Sequence, residues 1–197
     1  AELIGSEEHE GIMELGEEMS PGEDLLKHLW DPVFELSLTP NLGYCLSARG
    51  VAKELSASLN LPLAPFHHRE LPTVHPQKAQ VSVEEEDLCP RYMGRTIEDV
   101  LIGPSPFWLQ QLLKAADIRP INNAVDITNY ILLKWGQPMH AFDADLLEGN
   151  VHVRQAKQET SFLCLDEIER TDPKGTLLLC DEKKPVALAG LMDVANS

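Results

Sequence analysis

The chain has 197 residues, of which 43% are hydrophobic, and a formal net charge of −16 at pH 7. This length and composition are typical of a soluble globular protein with one core, or one core and an appendage. Phosphate groups bind mainly to Lys and Arg, so the acidity argues against a protein that coats nucleic acid. No run approaches the roughly 18 apolar residues of a membrane-spanning helix, and we expect no membrane partner.

The first 35 residues carry much of the acidity, with eleven acids and the single base Lys27. Glycine, proline and few apolar residues predict a surface strand or turn region there that would be weakly ordered alone. The start lacks a basic stretch followed by an apolar one, so we expect no signal peptide.

Regular structure is predicted next between residues 33 and 60. Alternating apolar residues in VFELSLTPN (33–41) predict a half-buried strand that ends at Pro40. Apolar residues three to four apart in SARGVAKELSASLN (47–60) predict a helix with Ser47 as its N-cap, and Pro62 prevents its continuation.

Residues 61–78 contain four prolines and predict a surface linker, with a domain boundary near residue 75. His67, His68 and His75 lie in this linker, where a solvated role is favoured over metal ligation. The four cysteines lack metal-site spacing as well. Four free thiols in a protein of the reducing cytosol explain these cysteines at least as well as two disulfides in a secreted protein.

Two strand regions and a helix are predicted after the linker. QVSVEEED (80–87) alternates as a strand, and PRYMGRTIEDVLIG (90–103) predicts one or two more, with Gly94 as a candidate bulge. SPFWLQQLLKAAD (105–117) predicts a helix with Ser105 as N-cap and Pro106 at the first helical position.

A second central helix is predicted in NAVDITNYILLKWGQP (123–138). Asn123 opens it, Gly136 stops it, and Pro138 lies beyond. Its predicted apolar face runs through Val125, Thr128, Leu132 and Trp135.

Short strands are predicted in the last third, in NVHVRQA (150–156), SFLCL (161–165) and TLLLCD (176–181), with a turn in TDPKG (171–175) and a final apolar run in PVALAGLM (185–192). Central helices with strands on both sides predict an α+β fold with mixed or antiparallel sheets and flanking helices, rather than a regular βαβ wind. No dinucleotide-binding, P-loop or nucleophile-elbow motif occurs.

The turn QPMHAFD (137–143) places His140 just past the end of that second helix. Reversal of the chain there could bring Thr128 and Asn129 to the same pocket as the imidazole. A positioned base accelerates hydrolysis about 10²–10⁴-fold. The alternative is that Asn129 caps a helical turn and His140 binds a loop carbonyl. Ala189 and Gly190 likewise allow either tight packing or room for a ligand.

Four segments carry a resemblance to a known family. They are ELSLTPNLGYCLSARGVAKEL, CPRYMGR, VDITNYILLKWGQPMHAFD and VALAGLM, which stand in this order along the chain. They closely resemble the β-subunit of bacterial phenylalanyl-tRNA synthetases, and the resemblance extends over nearly the whole chain. It implies that residues 1–75 are the second part of a small αβ N-terminal domain plus linker. Residues 76–197 would be an editing domain, a sandwich of sheets with flanking helices.

An editing domain of this family hydrolyses tyrosine wrongly esterified to phenylalanine tRNA. Tyrosine differs from phenylalanine by one hydroxyl, and a hydrophobic pocket rejects an added hydroxyl only about a hundredfold. A pocket that hydrogen-bonds that hydroxyl would spare phenylalanine, because its polar groups would be left unpaired at about 1–3 kcal/mol each.

The resemblance also implies roles for individual residues. His140 and Asn129 would orient the hydrolytic water, and Thr128 would bind substrate. Pro138 would shape the pocket wall, with Ala189 and Gly190 at the amino-acid end. The implied partners are the synthetase α-subunit, tRNA(Phe) and a tyrosine or phenylalanine moiety. The parent would be a cytoplasmic heterotetramer that uses ATP and Mg²⁺ elsewhere, and we expect no cofactor or metal in this segment.

The chain departs from the family pattern in three places. Leu42 and Tyr44 stand where the family has an Arg and an Asp, and Asp193 replaces a glycine. The chain stops at Ser197, before the acidic residue thought to read the tyrosine hydroxyl, so we expect an excised, C-terminally incomplete piece that is inactive in isolation. Two functions stay open: ester hydrolysis around His140, or a non-catalytic structural or tRNA-docking module of the αβ assembly.

Overall fold

A computed structural model describes residues 20–24, 32–66, 80–164, 168–190 and 192–193. The chain divides into two compact units, one of residues 1–62 and 102–137, the other of residues 63–101 and 138–197. All the described helices lie in the first unit and all the described strands in the second, which confirms the α+β class. The predicted boundary near residue 75 and the three linker histidines lie outside the described residues.

In the first unit, a short 3-10 segment, Pro40–Leu46, leads into helix α1, Ala48–Leu59. The Ser47 hydroxyl accepts a hydrogen bond from the Gly50 backbone N–H at 3.1 Å, and this confirms the predicted N-cap. Asn60 adopts a left-handed conformation, with φ of 51°, and ends the helix. The predicted apolar face of α1 is only partly covered, since Leu55 and Leu59 are exposed.

Gly50 allows α1 to pack closely against the segment before it. A Cβ atom at this position would overlap the backbone carbonyl of Tyr44. The Tyr44 hydroxyl donates to the Glu54 carboxylate, and this hydrogen bond raises the pKa of Tyr44 to about 12. The close packing at Gly50 and the hydrogen bond from Tyr44 to Glu54 both stabilise the turn that precedes α1.

The strand predicted over residues 33–41 is wrong. Residues 32–39 belong to no strand, and Pro40 begins the 3-10 segment. Alternation specifies which side chains share a face, but a strand also needs a neighbour for its backbone hydrogen bonds. No described strand pairs with this segment, and Phe34 is 80% exposed.

The described part of the first unit has two further helices: α2, Phe107–Ala115, and α3, Asn123–Trp135. The prediction of Ser105 as N-cap of α2 is wrong by one position, because Pro106 is the capping residue and Ser105 bonds to a different helix. The boundaries predicted for α3 are confirmed. Asn122 caps it by accepting from the Ala124 and Val125 N–H groups, both at 3.0 Å, and Gly136 ends it with φ of 74°.

The described part of the second unit has seven strands. They are β1 (Val81–Val83), β2 (Val151–Gln155), β3 (Thr160–Leu163), β4 (Glu169–Asp172), β5 (Leu177–Cys180), β6 (Pro185–Leu188) and β7 (Met192–Asp193). Five of them form a sheet in the order β1-β2-β5-β6-β7, in which only β1 and β2 are parallel. β3 and β4 form a separate antiparallel pair. The prediction of mixed and antiparallel pairing is thus confirmed.

Most strand predictions in this unit are confirmed, with two differences. The segment 90–103 forms no strand, and Gly94 is not a bulge. No described strand pairs with it, and Met93 and Ile97 are 73% and 72% exposed. Conversely, β4 was not predicted, because its sequence ERTD is polar; it forms by pairing with β3. The predicted turn before β5 is present and contains Gly175 with φ of 95°.

The core of the second unit occupies both faces of the central strands. Val153, Leu179, Val186 and Ala187 form one fully buried cluster, and Ala156, Leu178, Cys180 and Leu188 form another. Neighbouring residues of a regular strand point to opposite faces, as Leu178 and Leu179 do, so a strand covered on both faces is apolar throughout. This explains why β5 and β6 are continuous apolar runs. The register shift between β5 and β6 interrupts this alternation at Val186.

Candidate functional site

His140 lies in the irregular segment that follows α3. The segment from Gly136 to Asp143 is neither helix nor strand, and His140 is half-buried. Its imidazole stacks on the Phe142 ring, with centroids 5.8 Å apart and planes within 7° of parallel. Asp143 then starts a turn, in which its carboxylate accepts from the Asp145 N–H at 3.0 Å.

The fully buried cluster of Val153, Leu179, Val186 and Ala187 links the His140 region to the end of β6. Phe142 and Ala189 both pack against this cluster. Ala189 is half-buried, and Gly190 follows it in the turn between β6 and β7 with φ of 73°. No described atom lies within 4 Å of the point where a Gly190 Cβ would stand. Gly190 is therefore required by its backbone conformation and not by close packing.

Asp181 fixes the turn that joins β5 to β6. Its fully buried carboxylate accepts from the Lys183 and Lys184 N–H groups, both at 2.7 Å, and from the Glu148 N–H at 3.2 Å. Burial by itself raises the pKa of the Asp181 carboxyl. The backbone donors lower the pKa by more than burial raises it, so the pKa lies below its ordinary value. These hydrogen bonds stabilise the turn that precedes β6 (Pro185–Leu188). Ala189 directly follows that strand.

Helix α3 carries two more candidate residues, Thr128 and Asn129. The Thr128 hydroxyl donates to the Val125 carbonyl at 2.7 Å, so its oxygen is left to act as an acceptor. Asn129 is half-buried, and within the described part of the chain its amide makes no side-chain hydrogen bond. Its donor and acceptor groups are therefore available to a ligand or to water.

A buried carboxylate that the sequence did not predict anchors α3. Asp126 is fully buried, and it accepts from the Ser105 hydroxyl and from the Ile121 N–H, the latter at 2.8 Å. One side chain thus ties the segment before α2 and the turn before α3 to the helix that carries Thr128 and Asn129. Sequence alone gives no signal for this, since an acid in a first helical turn is usually a solvated dipole partner.

The six candidate residues fall in both units. Thr128 and Asn129 belong to the first, whereas Pro138, His140, Ala189 and Gly190 belong to the second. Within the second unit, His140 and Ala189 are both tied to one core cluster, the former through Phe142. Pro138 is exposed two residues before His140. The predicted pairing of Asn129 with His140 joins residues of different units and stays a prediction.

Another histidine, His152 on β2, has serine and glutamate neighbours. The Ser82 hydroxyl lies 2.7 Å from His152 Nδ1, and Glu84 Oε1 lies 3.8 Å from the same nitrogen. A nucleophilic relay needs the serine and the carboxylate on opposite ring nitrogens. This cluster therefore does not have the geometry of a serine hydrolase.

The described residues contain neither a metal-binding cluster nor a membrane-spanning helix. Among those residues, no group of three His, Cys, Asp or Glu side chains could hold a metal ion. No helix there is long and apolar enough to cross a bilayer. All four cysteines are within the described ranges, and each is a free thiol.

Comparison with known proteins identifies the family. A model of the B3/4 domain matches residues 88–197, which is more than half of the chain. The chain belongs to the B3/4 domain family. The matched range begins shortly after β1 and includes His140 and the five other candidate residues.

Relatives of this B3/4 protein match along nearly all of the chain. The phenylalanine–tRNA ligase beta subunit of Geobacter sulfurreducens is 46% identical over 100% of this chain and 25% of its own length. The beta subunit of Protochlamydia amoebophila is 42% identical over the same shares. That of Moorella thermoacetica is 45% identical over 96% of this chain and 24% of its own length. The family resemblance is thus confirmed, and the chain spans about a quarter of the length of these relatives.

Proposed function

We propose that this chain is part of the β-subunit of a phenylalanine–tRNA ligase, and that its B3/4 domain hydrolyses Tyr-tRNA(Phe). The observation that carries the proposal is the 46% identity, over all of the chain, to a protein named phenylalanine–tRNA ligase beta subunit. The chemical need supports it, because a synthetic pocket for phenylalanine rejects the extra hydroxyl of tyrosine only about a hundredfold. A hydrolytic site must then remove the mischarged product.

In this proposal, His140 and Asn129 orient the water that attacks the ester carbonyl. The His140 imidazole would take a proton from the water, and the amide of Asn129, which makes no side-chain hydrogen bond in the described part of the chain, would hold the water in place. The Thr128 oxygen, whose proton is already donated to Val125, accepts from a donor on the substrate such as the ammonium group. Pro138, Ala189 and Gly190 shape the amino-acid end.

The proposed partners follow from the same assignment. The chain would assemble with a ligase α-subunit in a cytoplasmic heterotetramer and contact tRNA(Phe) through the ester end that it hydrolyses. ATP and Mg²⁺ would serve the synthetic site elsewhere in the ligase. The acidity of this chain, at −16, means that tRNA affinity must come from local contacts and from the rest of the assembly.

The test is deacylation of Tyr-tRNA(Phe) and Phe-tRNA(Phe) by the assembled ligase that contains this chain. We expect His140→Ala to reduce tyrosine-selective hydrolysis about 10²–10⁴-fold, the contribution of one positioned acid-base group. If both residues act on one water, Asn129→Ala adds little in the His140→Ala background. The matched control is His152→Ala, which changes a histidine outside the proposed site. Hydrolysis at the normal rate by His140→Ala would refute the assignment.

A second function, a non-catalytic structural or tRNA-docking module, is favoured by Asp193. This residue lies on β7 opposite Ala187, where the family resemblance implies a glycine. Absence of hydrolysis by the wild-type ligase, with normal phenylalanine attachment, would support this alternative. An Asp193→Gly variant that gains hydrolysis would then identify the substitution as the cause.

A further inference from the structure

The Phe142 ring stacks on the imidazole of His140. The two rings are parallel within 7° and their centroids are 5.8 Å apart. Ala141, between them, is exposed, whereas His140 and Phe142 are both half-buried. The two rings therefore share one environment on the inner side of this segment.

Phe142 is itself held by the core. It packs against the cluster of Val153, Leu179, Val186 and Ala187, each of which has no exposed surface. A protein core packed in this way has low compressibility, because its side chains interdigitate at the density of an organic crystal. The buried cluster therefore restricts the motion of the phenyl ring. The ring in turn restricts the imidazole of His140, which lies in an irregular segment.

We propose that Phe142 is a positioning residue for His140, whose ring fixes the plane of the imidazole and so the directions of its two nitrogens. The catalytic consequence rests on the function proposed above, whereas the ring geometry does not. A base must lie within hydrogen-bonding reach of the proton that it takes. Loss of orientation lowers the rate even when the base and the substrate are both present.

Three variants separate positioning from packing. Phe142→Leu keeps an apolar side chain against the core but removes the flat ring, and Phe142→Tyr keeps the ring. Leu147→Ala is the matched control, because Leu147 packs against the same cluster. We expect Phe142→Leu to lower kcat for Tyr-tRNA deacylation about three- to tenfold, the range of an aromatic pair, with KM nearly unchanged. Phe142→Tyr should restore kcat, and Leu147→Ala should lower the Tm without changing kcat.

A second measurement needs no activity. In the 197-residue chain, the His140 ring C–H resonances, assigned with His140→Gln, should shift in Phe142→Leu through loss of the ring current, but not in Leu147→Ala. Unchanged resonances in Phe142→Leu would overturn the positioning role whatever the ligase does. Shifted resonances with an unchanged kcat would overturn it as well. If the wild-type ligase hydrolyses nothing, the proposed function fails, and the resonances alone decide whether the Phe142 ring lies against His140.

Discussion

Replacement of Asp126 by alanine tests whether one buried carboxylate holds α3 in place. The side chain is fully buried and accepts from the Ser105 hydroxyl and the Ile121 N–H, so Asp126→Ala leaves two donors without an acceptor. Each unpaired buried group costs about 1–3 kcal/mol. The Ile121 side chain is exposed, so water can reach part of that site, and we expect a total loss of about 2–4 kcal/mol in the free energy of unfolding.

Replacement of Asp126 by asparagine should lower the free energy of unfolding less than replacement by alanine does. The single amide oxygen of asparagine can accept from Ile121, but its NH₂ group then faces the Ser105 hydroxyl and cannot accept the hydroxyl proton. We expect Asp126→Asn to lose about 1 kcal/mol, the value of a typical hydrogen bond. The matched control is Asp117→Asn, because Asp117 is exposed in a left-handed conformation that asparagine also adopts, and it should change stability by less than about 0.5 kcal/mol.

Urea unfolding followed by tryptophan fluorescence is the appropriate assay. Trp108 and Trp135 lie on α2 and α3, so the signal reports on the unit that Asp126 stabilises. The m-value should stay constant across the series, so that the midpoint measures stability alone. The reasoning is refuted if Asp126→Ala and Asp117→Asn unfold at the same urea concentration.

Two further predictions concern the second unit and α1. The pKa of Asp181 is lowered by folding from its ordinary value of 3.8, so its stabilising contribution is complete above that pH and is lost as the pH falls through the lower, folded value. Thermal unfolding from pH 2 to 6 should therefore show a gap between wild type and Asp181→Asn that closes on acidification; a constant gap would contradict this. Gly50→Ala places a methyl group on the Tyr44 carbonyl and should cost about 1–3 kcal/mol, measured by thermal unfolding. The control, Gly43→Ala, has no described atom within 4 Å, and equal Tm values for the two would rule out the clash.

The ends of α1 and α3 could be predicted from sequence because the signals are local. Ser47 accepts from a backbone group three residues away, and Gly136 ends α3 through its own left-handed conformation. The continuous apolar runs of β5 and β6 likewise identified strands buried on both faces. Each of these features depends on a few neighbouring residues.

The candidate site could be predicted only in part. The turn at QPMHAFD drew attention to His140, Thr128 and Asn129. The family resemblance supplied the roles of the candidate residues and added Pro138. Neither source indicated that Phe142 stacks on the imidazole while it packs into the core. That contact depends on strands β2, β5 and β6, which follow later in the chain. The roles of the six residues stay predictions that the deacylation experiment addresses.

By itself, the sequence determined where α1 and α3 begin and end, which runs are apolar enough for a core, and the family to which the chain belongs. Tertiary structure decided which extended segments become strands: residues 33–41 and 90–103 do not, whereas the polar β4 does by pairing with β3. It also decided that Asp126 and Asp181 are buried, although acids are usually solvated. The physical reason is that backbone ladders and buried carboxylates need partners distant in sequence, and only the folded chain brings those partners together.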